Sequence, residues 1–257
     1  MNAPLLLTTD GHIATITLNN PPANTWTLES LNLLRDTVRE LNSHSAITGL
    51  IIRSDSEKFF SAGADLKLFQ GVTPEQARPM TEAFGEAFEA LTDFRGVSVA
   101  AVNGFSLGGG FEVALACDFR VVEKTALLGL PEAAVGLLPC AGGTQNLMWL
   151  AGESWAKRMI LCGEKVSGEK AFEIGLADEL VEQGEASEAA VRLLKATDAQ
   201  SPDAILACKE LIQMNRVGAR NSNIVERELF LELFKGTNQN EGVSAFLEKR
   251  KPEWDYS

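Results

Sequence analysis

Val97-Ser-Val-Ala-Ala-Val-Asn-Gly-Phe-Ser-Leu-Gly-Gly-Gly-Phe-Glu-Val-Ala-Leu-Ala-Cys117 changes character twice along its length. Val97 to Val102 is a short apolar run that reads as a buried strand. The glycines at 108–110 then open a helix that continues to Cys117. A strand handed over to a helix in this way belongs to a layered α/β fold, and the flanking sequence repeats the theme.

Upstream, Ile13 to Leu18 is rich in β-branched residues and reads as a strand ended by Asn19-Asn20-Pro21-Pro22. Thr27 is placed to cap a helix through Leu41, with Leu28, Leu31, Leu34, Val38 and Leu41 along one face. Gly49 to Ile52 is a short buried strand, followed by a loop of small residues over 59–65. Thr73-Pro74 supplies a cap and first position for a helix whose apolar face carries Ala77, Met80, Phe84, Phe88 and Leu91. Phe119 to Val122 and Leu127 to Leu130 read as further strands. From about Ser154 the pattern is almost wholly helical, with segments near 154–162, 167–174, 185–195, 202–213, 221–235 and 240–249. Gly175 ends one of these helices and Pro202 opens another.

The 257 residues suffice for one large core or a core with an appendage. Hydrophobic content of 45% and charged content of 23% are those of a soluble globular protein. A net charge of -12 argues against a nucleic-acid-binding surface. No uninterrupted apolar stretch reaches about 18 residues, so no membrane span is expected. The opening Met1-Asn2-Ala3-Pro4 has no basic n-region. Cys117, Cys140, Cys162 and Cys208 are widely spaced, which fits a reducing, cytoplasmic setting. With two histidines and scattered cysteines, no metal site is expected.

Two carboxylates stand out by isolation. Glu112 is the only ionisable side chain between Val97 and Ala116, and Glu132 the only one from Thr125 to Gly152 apart from Cys140. A lone carboxylate in an apolar run either points to solvent or occupies a site that uses a raised pKa. Two of them beside glycine- or proline-bearing backbone make a candidate acid/base pair.

Gly104-Phe-Ser-Leu-Gly108 also matches the nucleophile-elbow pattern of serine hydrolases. That chemistry needs a histidine after the serine, and both histidines here, His12 and His44, precede it. Ser106 is therefore read as a small residue in a tight turn. The glycines matter for another reason: at a helix start they let backbone N–H groups approach a ligand. Ser61-Ala-Gly-Ala-Asp-Leu-Lys67 could bring a second free N–H, and two converging N–H groups make an oxyanion hole.

Ser61 to Lys67, Val102 to Glu112, Pro131-Glu132 and Leu138-Pro-Cys-Ala-Gly-Gly-Thr-Gln145, in this order and spacing, resemble the enoyl-CoA hydratase/isomerase (crotonase) superfamily. Glu241 to Pro252 resembles that family's closing segment. The resemblance implies a spiral of ββα units over residues 1–195. It also implies a helical region over 196–257 that serves trimer assembly, with homotrimers or hexamers as the assembled state. It implies an acyl-CoA thioester substrate, with coenzyme A as part of the substrate and no separate cofactor.

Position by position, the oxyanion donors would be the amides of Ala64 and Gly109. The Ala62 carbonyl would face the adenine. Ala64, Asp65, Leu66 and Lys67 would lie along the CoA-binding loop, and Phe230, Phe246 and Lys249 would contact CoA from the C-terminal region. Lys67 and the Lys249-Arg250-Lys251 cluster would compensate CoA phosphates locally.

Family members that hydrate a double bond generally carry glutamates at both positions held here by Glu112 and Glu132. The expected activity is hydration of a trans-2-enoyl-CoA to a 3-hydroxyacyl-CoA. The alternatives are Δ3,Δ2-enoyl-CoA isomerisation through Glu132 and a non-catalytic RNA-binding role. Cys140 departs from the family pattern, which has glycine there and uses its backbone N–H to orient water. Cysteine keeps that N–H and adds a small side chain. Trp26 is bulkier than common at its position and is expected to pack on the first helix, the alternative being that it limits one side of the pocket.

Overall fold

The computed structural model describes residues 3–69, 74–135, 137–214, 237, 241, 250, 251 and 253–257. The chain opens with β1 (Leu5–Asp10), β2 (Ile13–Leu18) and α1 (Leu28–Ser43). Three ββα units follow: β3 (Gly49–Ser54), β4 (Phe59–Ser61) and α2 (Pro74–Thr92); β5 (Val97–Val102), β6 (Phe105–Leu107) and α3 (Gly109–Ala116); β7 (Phe119–Glu123), β8 (Leu127–Gly129) and α4 (Gly143–Leu161). Then come β9 (Val166–Ser167), α5 (Gly168–Glu173), β10 (Glu179–Val181), α6 (Ala186–Thr197) and α7 (Pro202–Met214).

The first strand of each unit joins a large sheet of order β1-β2-β3-β5-β7-β10, and the second joins a small sheet of order β4-β6-β8-β9. Pairing is parallel except at β1–β2 and β8–β9. This is the α/β spiral of ββα units that the resemblance implies.

Alternation along the strands covers both faces of the large sheet. Ala14, Ile16, Leu50, Ile52, Ala100 and Val122 point into the main core with α1, α2 and α3. Their neighbours Ile13, Ile51, Val99, Ala101 and Val121 point the other way, against Ala186, Ala189, Ala190 and Leu194 of α6. A parallel sheet covered on both faces explains why these strands read as continuous apolar runs. Lys209 of α7 donates to the carbonyls of Phe94 and Gly96 at 2.7 and 2.9 Å and pairs with Asp118 at 2.7 Å, fastening that helix to the edge of β5.

Thr27 caps α1 as expected, exchanging hydrogen bonds with Ser30 in a reciprocal capping box. Leu28, assigned to the buried face, is exposed, and Ser30 is buried instead. At the first helical position the cap, not the helix period, sets direction. The loop expected over 59–65 contains β4, whose ladder to β6 is too short to show a period. β1 was not legible because only Leu5 of its residues is buried. The helical stretch expected from Ser154 is interrupted by β9 and β10, and β10 pairs parallel with β7. Its helix 154–162 is the second part of α4, which breaks at Gly152 (φ 80°). The segments near 221–235 and 240–249 lie outside the described residues.

Candidate active site

The loop after β4 is held in place from a distance. Asn24 donates to Ser54 Oγ at 2.8 Å and to the Phe60 carbonyl at 3.1 Å. The Ser61 hydroxyl donates to the Asn24 carbonyl at 2.7 Å, and the Ala62 amide to Ala23 at 2.9 Å. Trp26 bridges Ala64 from both sides, donating to the Gly63 carbonyl at 2.8 Å and accepting from the Asp65 amide at 3.4 Å. The segment that ends β2 is thus the clamp that sets the Ala62–Asp65 backbone.

That loop lies against the start of α3. A Cβ at Gly63 would stand 2.7 Å from the Leu107 carbonyl and 3.2 Å from the Gly109 nitrogen, and Gly63 has φ of 87°. Glycine is required here on both counts. Neither the Ala64 nor the Gly109 amide has an acceptor among the described residues. Gly109, as the first residue of α3, carries one of the helix's free N-terminal donors.

Glu112 lies one turn into α3 and is 2% exposed. Its Oε1 accepts from the amides of Ala141 at 2.8 Å and Gly143 at 3.0 Å, at the N-terminus of α4. A Cβ on Gly143 would lie 2.8 Å from that same oxygen, so only glycine lets the backbone come so close. Burial raises the Glu112 pKa, and the amides of Ala141, Gly143 and Cys140 oppose the rise. A hydrogen bond to a charged group contributes about 1.5–3 kcal/mol, so these amides oppose the desolvation cost, and burial still prevails.

Glu132 begins a 3-10 turn over Glu132–Val135. Both its carboxylate oxygens are buried without a hydrogen-bond partner among the described residues. Oε1 stands 3.2 Å from where a Cβ on Gly108 would be, and Gly108 has φ of 56°. Burial, and then the charge of Glu112, push its pKa up to about 7. The two carboxyls are therefore electrostatic neighbours with opposite surroundings.

Both face a cleft of about 270 Å³ that also receives Ala62, Ala64, Leu66, Gly109 and Cys140. The Cys140 thiol is pushed up to about 11, first by desolvation and then by Glu112 and Glu132, so at neutral pH it is a thiol and not a nucleophilic thiolate. Asp65 and Lys67 are outside the cleft lining. Asp65 caps the 3-10 turn over Leu66–Phe69, accepting from the Lys67 amide at 3.1 Å. Ser106 is fully buried and donates to the Gly110 carbonyl at 2.9 Å, in keeping with a structural role. Arg250 pairs with Glu241, so its charge is already engaged. Phe230, Phe246 and Lys249 lie outside the described residues.

Sequence reading did not single out Ala141 and Gly143 as donors to Glu112, although the Gly142-Gly143 pair was the available signal. Nor did it single out the apolar wall formed by Phe69, Phe84, Val135, Leu137 and Leu138.

A ββα spiral whose two helix starts enclose a carboxyl pair defines an enzyme of the crotonase class. The model for the family described as enoyl-CoA hydratase/isomerase matches residues 8–257, and the chain belongs to that family. It is 34% identical over 257 residues to a probable enoyl-CoA hydratase of Bacillus subtilis, with 99% of each chain covered. It is 33% identical to the 2,3-dehydroadipyl-CoA hydratase of Escherichia coli, over 97% of this chain and 98% of the relative. The solved structure of Pseudomonas aeruginosa DspI superposes with a TM-score of 0.94 at 53% identity, covering 99% of this chain and 97% of that one. Among the described residues no helix is long and apolar enough to cross a membrane.

Proposed function

We propose that the protein is an enoyl-CoA hydratase, adding water across the 2,3 double bond of a trans-2-enoyl-CoA to give a 3-hydroxyacyl-CoA. The observation that carries the reading is the contrast between the carboxyls: Glu112 held by amides from the start of α4, Glu132 near pKa 7 with the rise opposed by no amide but its own. Glu112, as carboxylate, takes a proton from the water that attacks C3. Glu132, protonated, delivers one to C2. The thioester oxygen gathers enolate charge between these events, and the Ala64 and Gly109 amides are the donors proposed to stabilise it. One such donor lowers the barrier by about 3–4 kcal/mol. The steps draw on no metal or redox group, and coenzyme A enters only as part of the substrate.

A Δ3,Δ2-isomerase would shuttle a proton with one carboxyl alone. The amide cradle built around Glu112 favours the two-carboxyl reaction.

The proposal includes a division of labour along the chain. Residues 1–195 carry the chemistry, and 196–257 contact CoA through Phe230, Phe246 and Lys249, and neighbouring subunits of a homotrimer or hexamer. Lys67 is proposed to meet CoA at the edge of the site. A cytoplasmic location goes with that reading.

Turnover of crotonyl-CoA in water, read by mass spectrometry, tests it. A product heavier by one water from wild type, absent with Glu112→Gln and Glu132→Gln, is expected. A double-bond isomer formed from 3-enoyl-CoA with no hydration would replace it with the isomerase.

A further inference from the structure

The part of the cleft that the carboxyls leave is hydrocarbon. Leu66 and Phe69 come from the turn after β4, Phe84 from α2, and Val135, Leu137 and Leu138 from the connection into α4. Phe84 is buried, but Leu66 is 50%, Val135 53% and Leu138 69% exposed. Single exposed leucines are ordinary, yet several gathered round one concavity with convergent polar groups mark a ligand surface.

The occupant follows from continuity. On the proposed reaction C2 and C3 of the acyl chain sit at Glu112 and Glu132, and this apolar lining belongs to the same cleft as both. Among the described residues the lining contains no cationic side chain, and its ionisable groups are Glu112, Glu132 and Cys140. A carboxylate at the far end of the acyl chain would lose water against leucine and valine and stand in the field of Glu112, with no cationic side chain among the described lining residues to offset either penalty.

We infer that this cleft selects a neutral hydrocarbon acyl chain and rejects one ending in a carboxylate, with Leu66, Val135 and Leu138 as the specificity-determining contacts. The inference rests on the hydratase reading of the same site. It goes further than family membership, because one relative is named for a dicarboxylic substrate.

The test compares two six-carbon substrates that differ only at the terminus: trans-2-hexenoyl-CoA, ending in methyl, and 2,3-dehydroadipyl-CoA, ending in carboxylate. Wild type is expected to favour hexenoyl-CoA by about 100-fold in kcat/KM. Leu138→Arg and Val135→Arg, both at exposed positions, are expected to narrow that ratio by about tenfold, mainly by improving the carboxylate substrate. Comparable kcat/KM for the two substrates would overturn the inference and leave the hydratase standing.

Binding of the saturated analogues hexanoyl-CoA and adipyl-CoA, measured by calorimetry, reads the same selectivity without turnover. A preference for hexanoyl-CoA with no hydration of either enoyl substrate would sink the hydratase reading alone. Equal affinities would sink the inference.

Discussion

Glu112 is met by backbone amides from the start of α4, whereas Glu132, in the same cleft, has both oxygens buried without a partner among the described residues. Burial raises the pKa of both carboxyls, but at Glu112 backbone amides oppose the rise, whereas Glu132 is pushed to about 7 and held as the neutral acid. Identical side chains thus acquire different chemistry from what the backbone around them offers. On the proposed reaction that difference is the mechanism, one residue taking a proton as the other gives one.

The most severe way to break the comparison is to remove each carboxyl. Glu112→Gln and Glu132→Gln should each lower kcat on crotonyl-CoA by about 10²–10⁴-fold. Since the two act as a unit, the double variant should be little worse than the poorer single one, and multiplicative losses would speak against a shared reaction.

A subtler attack leaves both glutamates in place and disturbs the cradle. Gly143→Ala puts a methyl 2.8 Å from Glu112 Oε1. Steady-state kinetics should show kcat down by about 100-fold with KM little changed, because the group displaced acts in the reaction and not in binding. An unchanged kcat would mean the cradle does not set Glu112.

The pH dependence sharpens the contrast. Glu132 is protonated below about 7, so hydration kcat should fall as pH rises through that value, and the inflection should be missing from Glu132→Gln. Stability follows from the same shift. The folded carboxyl keeps its proton to about 7, while the unfolded one releases it near the ordinary value of 4.5. Stability should therefore decline as pH rises between those values. Thermal melts at pH 8 should find Glu132→Gln more stable than wild type by about 2–4 °C.

The smallest effect is expected behind the site. The Trp26 indole N–H is buried with no partner among the described residues, and its ring meets Phe88 edge-on at 5.6 Å. Trp26→Phe removes the unpaired donor and some volume together, and these act in opposite directions on stability. Melting temperature should stay within about 2 °C of wild type. The Ala64 bridge, being backbone, should survive, with kcat close to wild type.

Much of the site was legible because burying charge is costly: a glutamate isolated among apolar residues advertises itself, as Glu112 and Glu132 both did. Strands β2, β3, β5 and β7 were legible because each carries a short run rich in β-branched and apolar residues. The clamp from Asn24 and Trp26 onto the Ala62–Asp65 loop was not, since its hydrogen bonds join segments 30 to 37 residues apart. Trp26 was expected to pack on the first helix, and the aromatic contact it makes is instead with Phe88 of α2. Its part in holding Ala64 was not foreseen, because backbone bridges leave no side-chain signature.

The sequence alone determined an α/β order of apolar strands and amphipathic helices, the two carboxyls and the glycines that allow close approach, because hydrophobic period, isolated charge and glycine are local signals. The second strands β4 and β6 left no such period, and the spiral was implied only by the family resemblance. Tertiary structure alone decided which glutamate receives amides and which is left bare. It also gathered Leu66, Val135 and Leu138 around one cleft. Those outcomes depend on desolvation and on donors brought from distant turns, and both exist only once the helix starts have met.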